Sequence, residues 1–232
     1  METKQKDGRI SVVTGILEAN DRVADENRRM FANTGTCVID LIGSPGAGKT
    51  ALLEATLPAL AGAARVGVIA GDIETTLDAE RISVFDVPVV QTTTGAFGGA
   101  CHLEASTVRQ AADQLGMDGL NLVFIENVGN LVCPAEFDIG QGARVVVLSV
   151  TEGEDKPLKY PLAFRTADFV VINKTDLLPH LDLDMAVLRR NLGQVNPRLK
   201  WAEISARTRD GLDTWIAWIR ERMGNSKRHT TN

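Results

Sequence analysis

The sequence predicts an α/β protein with a mostly parallel central sheet and helices on both faces. Three observations carry this reading. Short, nearly continuous β-branched runs recur along the chain, stretches with helical spacing separate them, and one glycine-rich loop joins the first run to the first helix. In such open sheets ligands gather at the carboxyl ends of the strands.

Taken in order, residues 1–35 are polar and charged and read as a leader, with Glu26-Asn27-Arg28-Arg29-Met30 ending a short helix. The first strand is Cys37–Ile42, and a helix-like run opens at Ala51. Further strands are expected at Val66–Ala70, Val87–Val90, Leu122–Ile125, Arg144–Leu148 and Phe169–Ile172, with a last strand ending at Ala202-Glu203-Ile204. Apolar residues at helical spacing mark Leu103–Leu115, Met185–Gln194 and Leu212–Arg222. Residues 36–224 form a single expected domain, followed by a flexible tail over 225–232. No internal repeat is visible.

With 232 residues and 44% hydrophobic content, the chain can bury a full core as one domain. The formal net charge is −5 and the basic residues form no long run, so a nucleic acid or an anionic membrane is not an expected partner. No apolar stretch approaches the roughly 18 residues of a membrane span, which predicts a cytoplasmic protein. Cys37, Cys101 and Cys133 are too few and too scattered for a disulfide framework.

The loop between the first strand and its helix reads Gly43-Ser44-Pro45-Gly46-Ala47-Gly48-Lys49-Thr50. In that setting it is a phosphate-binding loop, so the fold is a P-loop NTPase. Its glycines let backbone N–H groups converge on phosphates, Lys49 reaches the β- and γ-phosphates, and the Thr50 hydroxyl ligates Mg²⁺.

Asn173-Lys174-Thr175-Asp176 follows the strand Phe169–Ile172, where a loop can hold the base of the same nucleotide. Asp176 can accept from both the guanine N1–H and its exocyclic amine, a pair that adenine lacks. Asn173 and the Lys174 stem hold loop and ring, and Ser205-Ala206 completes the pocket. An adenine enzyme with a similar turn is the alternative.

Glu126-Asn127-Val128-Gly129 follows another strand, which puts a carboxylate near Mg²⁺ and the Gly129 amide near the γ-phosphate. Asp72 and Asp78, beyond the strand at Val66, can face the same edge, one toward Mg²⁺ and one toward water. For Asp78 the plainer role is an acid at a helix N-terminus. Lys49, Asp72, Asp78, Glu126 and Gly129 are the expected catalytic set, with Thr50, Asp72 and Glu126 around Mg²⁺. Asn130 stands where a glutamine or histidine would position water, so hydrolysis should be slow.

Cys101-His102 lies ahead of a helix and Cys133-Pro134 comes four residues after Gly129. Two thiolates and an imidazole suit Zn²⁺ or Ni²⁺ and leave one coordination position open. On spacing alone, buried structural thiols remain the alternative. The short path from Gly129 to Cys133 suggests that nucleotide state can move a metal ligand.

These segments, with Gly71-Asp72 through Asp78-Ala79-Glu80-Arg81, Glu126 through Pro134 and Ser149 through Pro161, closely resemble the HypB family of SIMIBI-class GTPases, which assist nickel insertion into [NiFe]-hydrogenase. The resemblance runs from about residue 27 to 220. It implies a GTP/GDP-binding homodimer formed with GTP, a Cys101/His102/Cys133 metal site at its interface, a HypA-like zinc-containing accessory partner, and the hydrogenase large-subunit precursor as recipient. Residues 1–36 carry no cysteine motif or histidine-rich stretch, Leu77 stands where a polar residue is usual, Thr94–Ala100 lacks a basic residue, and Arg209 replaces a glycine. Lys156 and Lys159 either reach phosphate across a dimer or are solvated. A urease-type nickel GTPase and a regulatory nucleotide-binding protein with structural thiols are the competing readings.

Overall fold

The computed structural model describes residues 3–72, 77–93 and 101–229, with side-chain surroundings for 15–72, 77–93 and 101–226. Its strands are β1 (Cys37–Ile42), β2 (Val66–Asp72), β3 (Val89–Thr93), β4 (Leu122–Glu126), β5 (Ala143–Ser149), β6 (Phe169–Asn173) and β7 (Lys200–Glu203). The helices are α1 (Thr3–Thr34), α2 (Lys49–Leu60), α3 (Leu77–Ser83), α4 (Ala105–Leu115), α5 (Cys133–Glu136), α6 (Lys156–Lys159), α7 (Pro161–Arg165), α8 (Met185–Val195) and α9 (Leu212–His229).

Among the described residues the strands form one sheet in the order β3-β2-β4-β1-β5-β6-β7, and every pairing is parallel. The expected α/β sheet is therefore present, with β1 at its centre. Side chains alternate across each strand. On one face Ile39, Leu41, Phe124, Val147 and Phe169 meet α2 and α9, where Trp215 packs flat against Trp218 with ring centroids 5.4 Å apart. The Trp215 indole N–H donates to Thr56 Oγ1 at 2.9 Å, so its one polar atom is satisfied inside the core. The opposite face carries two separate apolar clusters, one around Val38, Ile125 and α4, the other around Ile42, Val146 and α7–α8. Asp40 lies between Val38 and Ile42 on that face and is fully buried.

Three boundaries differ notably from the expected ones. The short helix expected at the end of the leader is a 32-residue helix. Tertiary docking sustains it: Ala24 and Phe31 are buried, and Asn27 Nδ2 donates to the carbonyls of Ala105 at 2.8 Å and Ile139 at 3.1 Å. Asn20 Oδ1 accepts from the Ala105 N–H at the start of α4. At the other end α9 continues to His229, so 225–229 of the expected flexible tail are helical, and 230–232 lie outside the described residues. β3 begins at Val89 and not at Val87, because Pro88 has no N–H to give a ladder, although its carbonyl accepts from Val68. No described helix is long and apolar enough to cross a membrane.

Candidate nucleotide and metal sites

The phosphate loop leaves the carboxyl end of β1 and runs into α2. Gly48 has φ 95°, and a Cβ there would lie 2.5 Å from Asn173 Nδ2, so both backbone and space require glycine. Lys49 and Thr50 are buried at the first turn of α2. Burial pushes the Lys49 ammonium below its usual range, while Glu126 and then Asp78 pull it back up. Its Nζ is 3.5 Å from the Gly43 carbonyl.

Lys49, Thr50, Asp72, Asp78, Glu126 and Lys174 line one cavity of about 490 Å³. Thr50 Oγ1 lies 2.8 Å from both Asp78 Oδ1 and Glu126 Oε1. One hydroxyl hydrogen cannot serve two carboxylates, so the second contact requires a protonated acid or a cation. Glu126 Oε2 is buried with no hydrogen-bond partner, and burial pushes the Glu126 carboxyl up to about 7, with Lys49 opposing. A hydroxyl and clustered carboxylates with an orphaned oxygen are a donor set that fits Mg²⁺. Arg81 pairs bidentately with Glu54 and stands 3.7 Å from Asp78. Residues 73–76, part of the segment between these two aspartates, lie outside the described residues. Gly129 presses on the loop, since a Cβ there would be 3.0 Å from Pro45 Cα.

In the loop expected to hold the base, Asn173 is a clamp. Its Nδ2 donates to the Ala47 carbonyl at 3.0 Å, and its Oδ1 accepts from the N–H groups of Lys174 and Ala206. Lys174 adopts φ 65° and sends Nζ to the Gly46 carbonyl at 2.6 Å. Ser205 Oγ donates to Asp176 Oδ1 at 2.6 Å. The two halves of the expected base pocket thus meet each other and the phosphate loop.

Cys101, His102 and Cys133 offer ligand atoms that all lie within 4.8 Å of one another, and all three residues are half-buried. The His102 ring packs on Phe137 with centroids 3.9 Å apart, and its Nε2 is buried without a partner. Burial pushes the His102 imidazole down, toward the neutral form that ligates metals. A hydrogen bond with Cys101, then burial, push the Cys133 thiol up, so a metal binding here displaces protons. The cluster fits Zn²⁺ or Ni²⁺ by donor chemistry. Cys37 is buried in the core, away from it. Thr94–Ala100, ahead of Cys101, lie outside the described residues.

Lys156 and Lys159 are engaged locally, with Glu152 at 3.2 Å and Asp155 at 2.6 Å. Sequence reasoning missed Asp40 and Arg144 and gave Asn127 and Asn130 no linking role, although all four tie these loops to the sheet and the phosphate loop. The available signal was a charge inside an apolar strand, at Asp40, and another opening β5, at Arg144.

A phosphate loop on the central strand of an all-parallel sheet, with carboxylates at neighbouring strand ends, defines a P-loop NTPase. The family described as CobW/HypB/UreG, nucleotide-binding domain, matches residues 37–203. The hydrogenase maturation factor HypB of Azotobacter chroococcum is 49% identical over 93% of this chain and 70% of its own length. The crystal structure of HypB from Helicobacter pylori in complex with nickel superposes with a TM-score of 0.84 at 33% identity, covering 90% of this chain and 97% of that one. HypB from Archaeoglobus fulgidus gives 0.82 at 36% identity, covering 89% and 100%. The chain belongs to the HypB family of hydrogenase maturation factors.

Proposed function

We propose that this chain is a GTP-hydrolysing metallochaperone that binds nickel or zinc at Cys101, His102 and Cys133 and assists nickel insertion into [NiFe]-hydrogenase. One observation carries the coupling of the two activities. Asn130, directly after Gly129, forms a backbone bridge with Gly43 of the phosphate loop, while its Nδ2 donates to the Cys101 carbonyl at 3.4 Å and its Oδ1 accepts from the Val132 N–H. A single residue therefore touches the phosphate loop and both arms of the thiolate cluster. The nickel in the H. pylori relative and the hydrogenase role in the relatives' names support the choice of cargo and recipient.

In this reading Asp176 accepts from guanine, Asn173 and Lys174 hold the base loop, Ser205 and Ala206 close the pocket, and residues 43–50 cradle the phosphates. Thr50, Asp72 and Glu126 would hold Mg²⁺, which when bound neutralises charge across the β- and γ-phosphates. Lys49 stabilises negative charge on the transferred group, and Asp78 orients water toward the γ-phosphorus. As the water oxygen bonds to that phosphorus, the bond to the β–γ bridging oxygen breaks, giving GDP and inorganic phosphate, and the water's proton passes to phosphate or solvent. The Gly129 amide senses the γ-phosphate and passes its loss through Asn130 to Cys133. Val132, beside Cys133, is 48% exposed, which supports a second copy of the chain docking here when GTP is bound. We assign residues 36–224 to the GTPase domain, a cytoplasmic setting, and a HypA-like accessory protein and the hydrogenase large-subunit precursor as partners.

The test is equilibrium Ni²⁺ and Zn²⁺ binding to the reduced chain, with GTP turnover measured alongside. Cys101→Ser and Cys133→Ser should each weaken metal binding by at least about tenfold and leave turnover measurable. Unchanged metal binding in both variants would overturn the assignment of this cluster.

A further inference from the structure

Asp40 is a fully buried acid inside an otherwise apolar strand, at the centre of the sheet. Asp40 does not line the cavity that holds Lys49 and Glu126, although its partner Asn127 does, and its neighbours on this strand face, Val38 and Ile42, belong to two separate apolar clusters. Its two oxygens serve different loops. Oδ1 accepts from Asn127 Nδ2 at 3.1 Å, and Asn127 Oδ1 in turn accepts at 3.1 Å from the N–H of Leu103, the residue after Cys101-His102. Oδ2 accepts from Arg144 Nε at 3.2 Å. The same guanidinium donates from Nη2 to the Phe137 carbonyl at 2.7 Å and from Nη1 to the Ala135 carbonyl at 3.2 Å, fixing the turn that Cys133 opens.

We infer that Asp40, Asn127 and Arg144 form a buried positioning network that sets the distance between the Cys101-His102 pair and Cys133, and through it the affinity of that cluster for metal. The inference rests on the proposed reading of those three residues as the metal site. Three physical points support it. The two strands do not need the ion pair, since Asp40 and Arg144 are already register partners in the β1–β5 ladder. Buried ion pairs are seldom more stabilising than apolar replacements, so a geometric role is the better account of this one. Neither loop can hold itself: α5 is four residues long, and among the described residues the Leu103 N–H is held by the Asn127 side chain. Phe137, whose carbonyl Arg144 grips, also carries the ring that packs on His102. Both sides of the cluster therefore refer back to one carboxylate.

The test compares the reduced full chain with three variants, measuring Ni²⁺ affinity by competition with a chromophoric chelator, affinity for a fluorescent GDP analogue, and the thiolate-to-nickel absorption band. Arg144→Lys keeps a cation beside Asp40 but loses the planar fork that reaches two carbonyls. Nickel affinity should fall about tenfold and the band should shift, while affinity for the GDP analogue stays at the wild-type value. Asp40→Asn combined with Arg144→Met removes both charges together and should show the same split, which decides the matter if the lysine variant does not fold. Wild-type nickel affinity and an unmoved band in either folded variant would overturn the inference, as would a parallel loss of nickel and nucleotide binding. Cys133→Ser separates this from the underlying assignment: if it binds nickel like wild type, the metal site itself is misplaced.

Discussion

The loop proposed to hold the base and the phosphate pocket adjoin at the carboxyl edge of one sheet, and they are finished to different degrees. At the base end the polar groups are already committed. Asn173 uses both ends of its amide, Lys174 reaches Gly46, and Asp176 receives Ser205. In the phosphate pocket Thr50 faces two carboxylates, Glu126 leaves one buried oxygen without a partner, and Lys49 is buried. The difference separates two tasks. A part that is ordered beforehand selects the ligand at low ordering cost, whereas a part with unspent charge gains most when phosphate and cation arrive.

Three substitutions test this difference. The largest effect on nucleotide binding is expected at the rigid end. Asp176→Asn offers guanine one acceptor and one donor where two acceptors are needed, so affinity for GTP should fall about a hundredfold, and xanthosine triphosphate, with a carbonyl in place of the amine, should gain. Competition against a fluorescent nucleotide reads both. Undiminished GTP affinity would mean that the base loop does not select.

The opposite sign is expected in the pocket. Burial raises the Glu126 carboxyl from 4.5 to about 7, so its protonated form is the one the metal-free fold prefers. Stability is then fully present below pH 4.5 and declines as pH rises through about 7. Glu126→Gln escapes that decline, and in the presence of chelator it should be more stable than wild type at about pH 8 by on the order of 3 kcal/mol, a gap that closes toward about pH 5. Denaturant melts at the two pH values check this, and a variant less stable at the higher pH would contradict it. The smallest effect concerns Arg209, which holds φ 69° in the loop behind Ser205. Arg209→Gly should relieve that strain and raise stability by about 0.5–1 kcal/mol, a shift of a few degrees in thermal melting.

What was legible in the sequence follows how far apart the cooperating atoms lie along the chain. The phosphate loop and Asn173–Asp176 are contiguous, so residue type and the preceding strand were enough to find them. Cys101-His102 advertised itself as a pair, but its approach to Cys133 depends on two loops folding over one sheet edge. Beyond the lone charges at Asp40 and Arg144, the network was not legible, because Asp40's partners are 87 and 104 residues away and each looks, alone, like an isolated polar residue. The length of α1 escaped for a related reason. Its polar sequence carries little of the amphipathic pattern that marks a helix, and Asn27, which looks like a surface residue, is held inside by carbonyls 78 and 112 positions on.

If nucleotide state reaches the cysteine cluster through the strap from Gly129 to Cys133, metal binding must depend on the bound nucleotide. The most direct measurement is Ni²⁺ and Zn²⁺ affinity and stoichiometry on the reduced chain held with GDP or with a non-hydrolysable GTP analogue, recording oligomeric mass in each state. Affinity or stoichiometry should change with nucleotide, and the change should vanish in Cys101→Ser and in Cys133→Ser. Identical metal binding in the two states would contradict it, leaving the nucleotide site standing without the coupling.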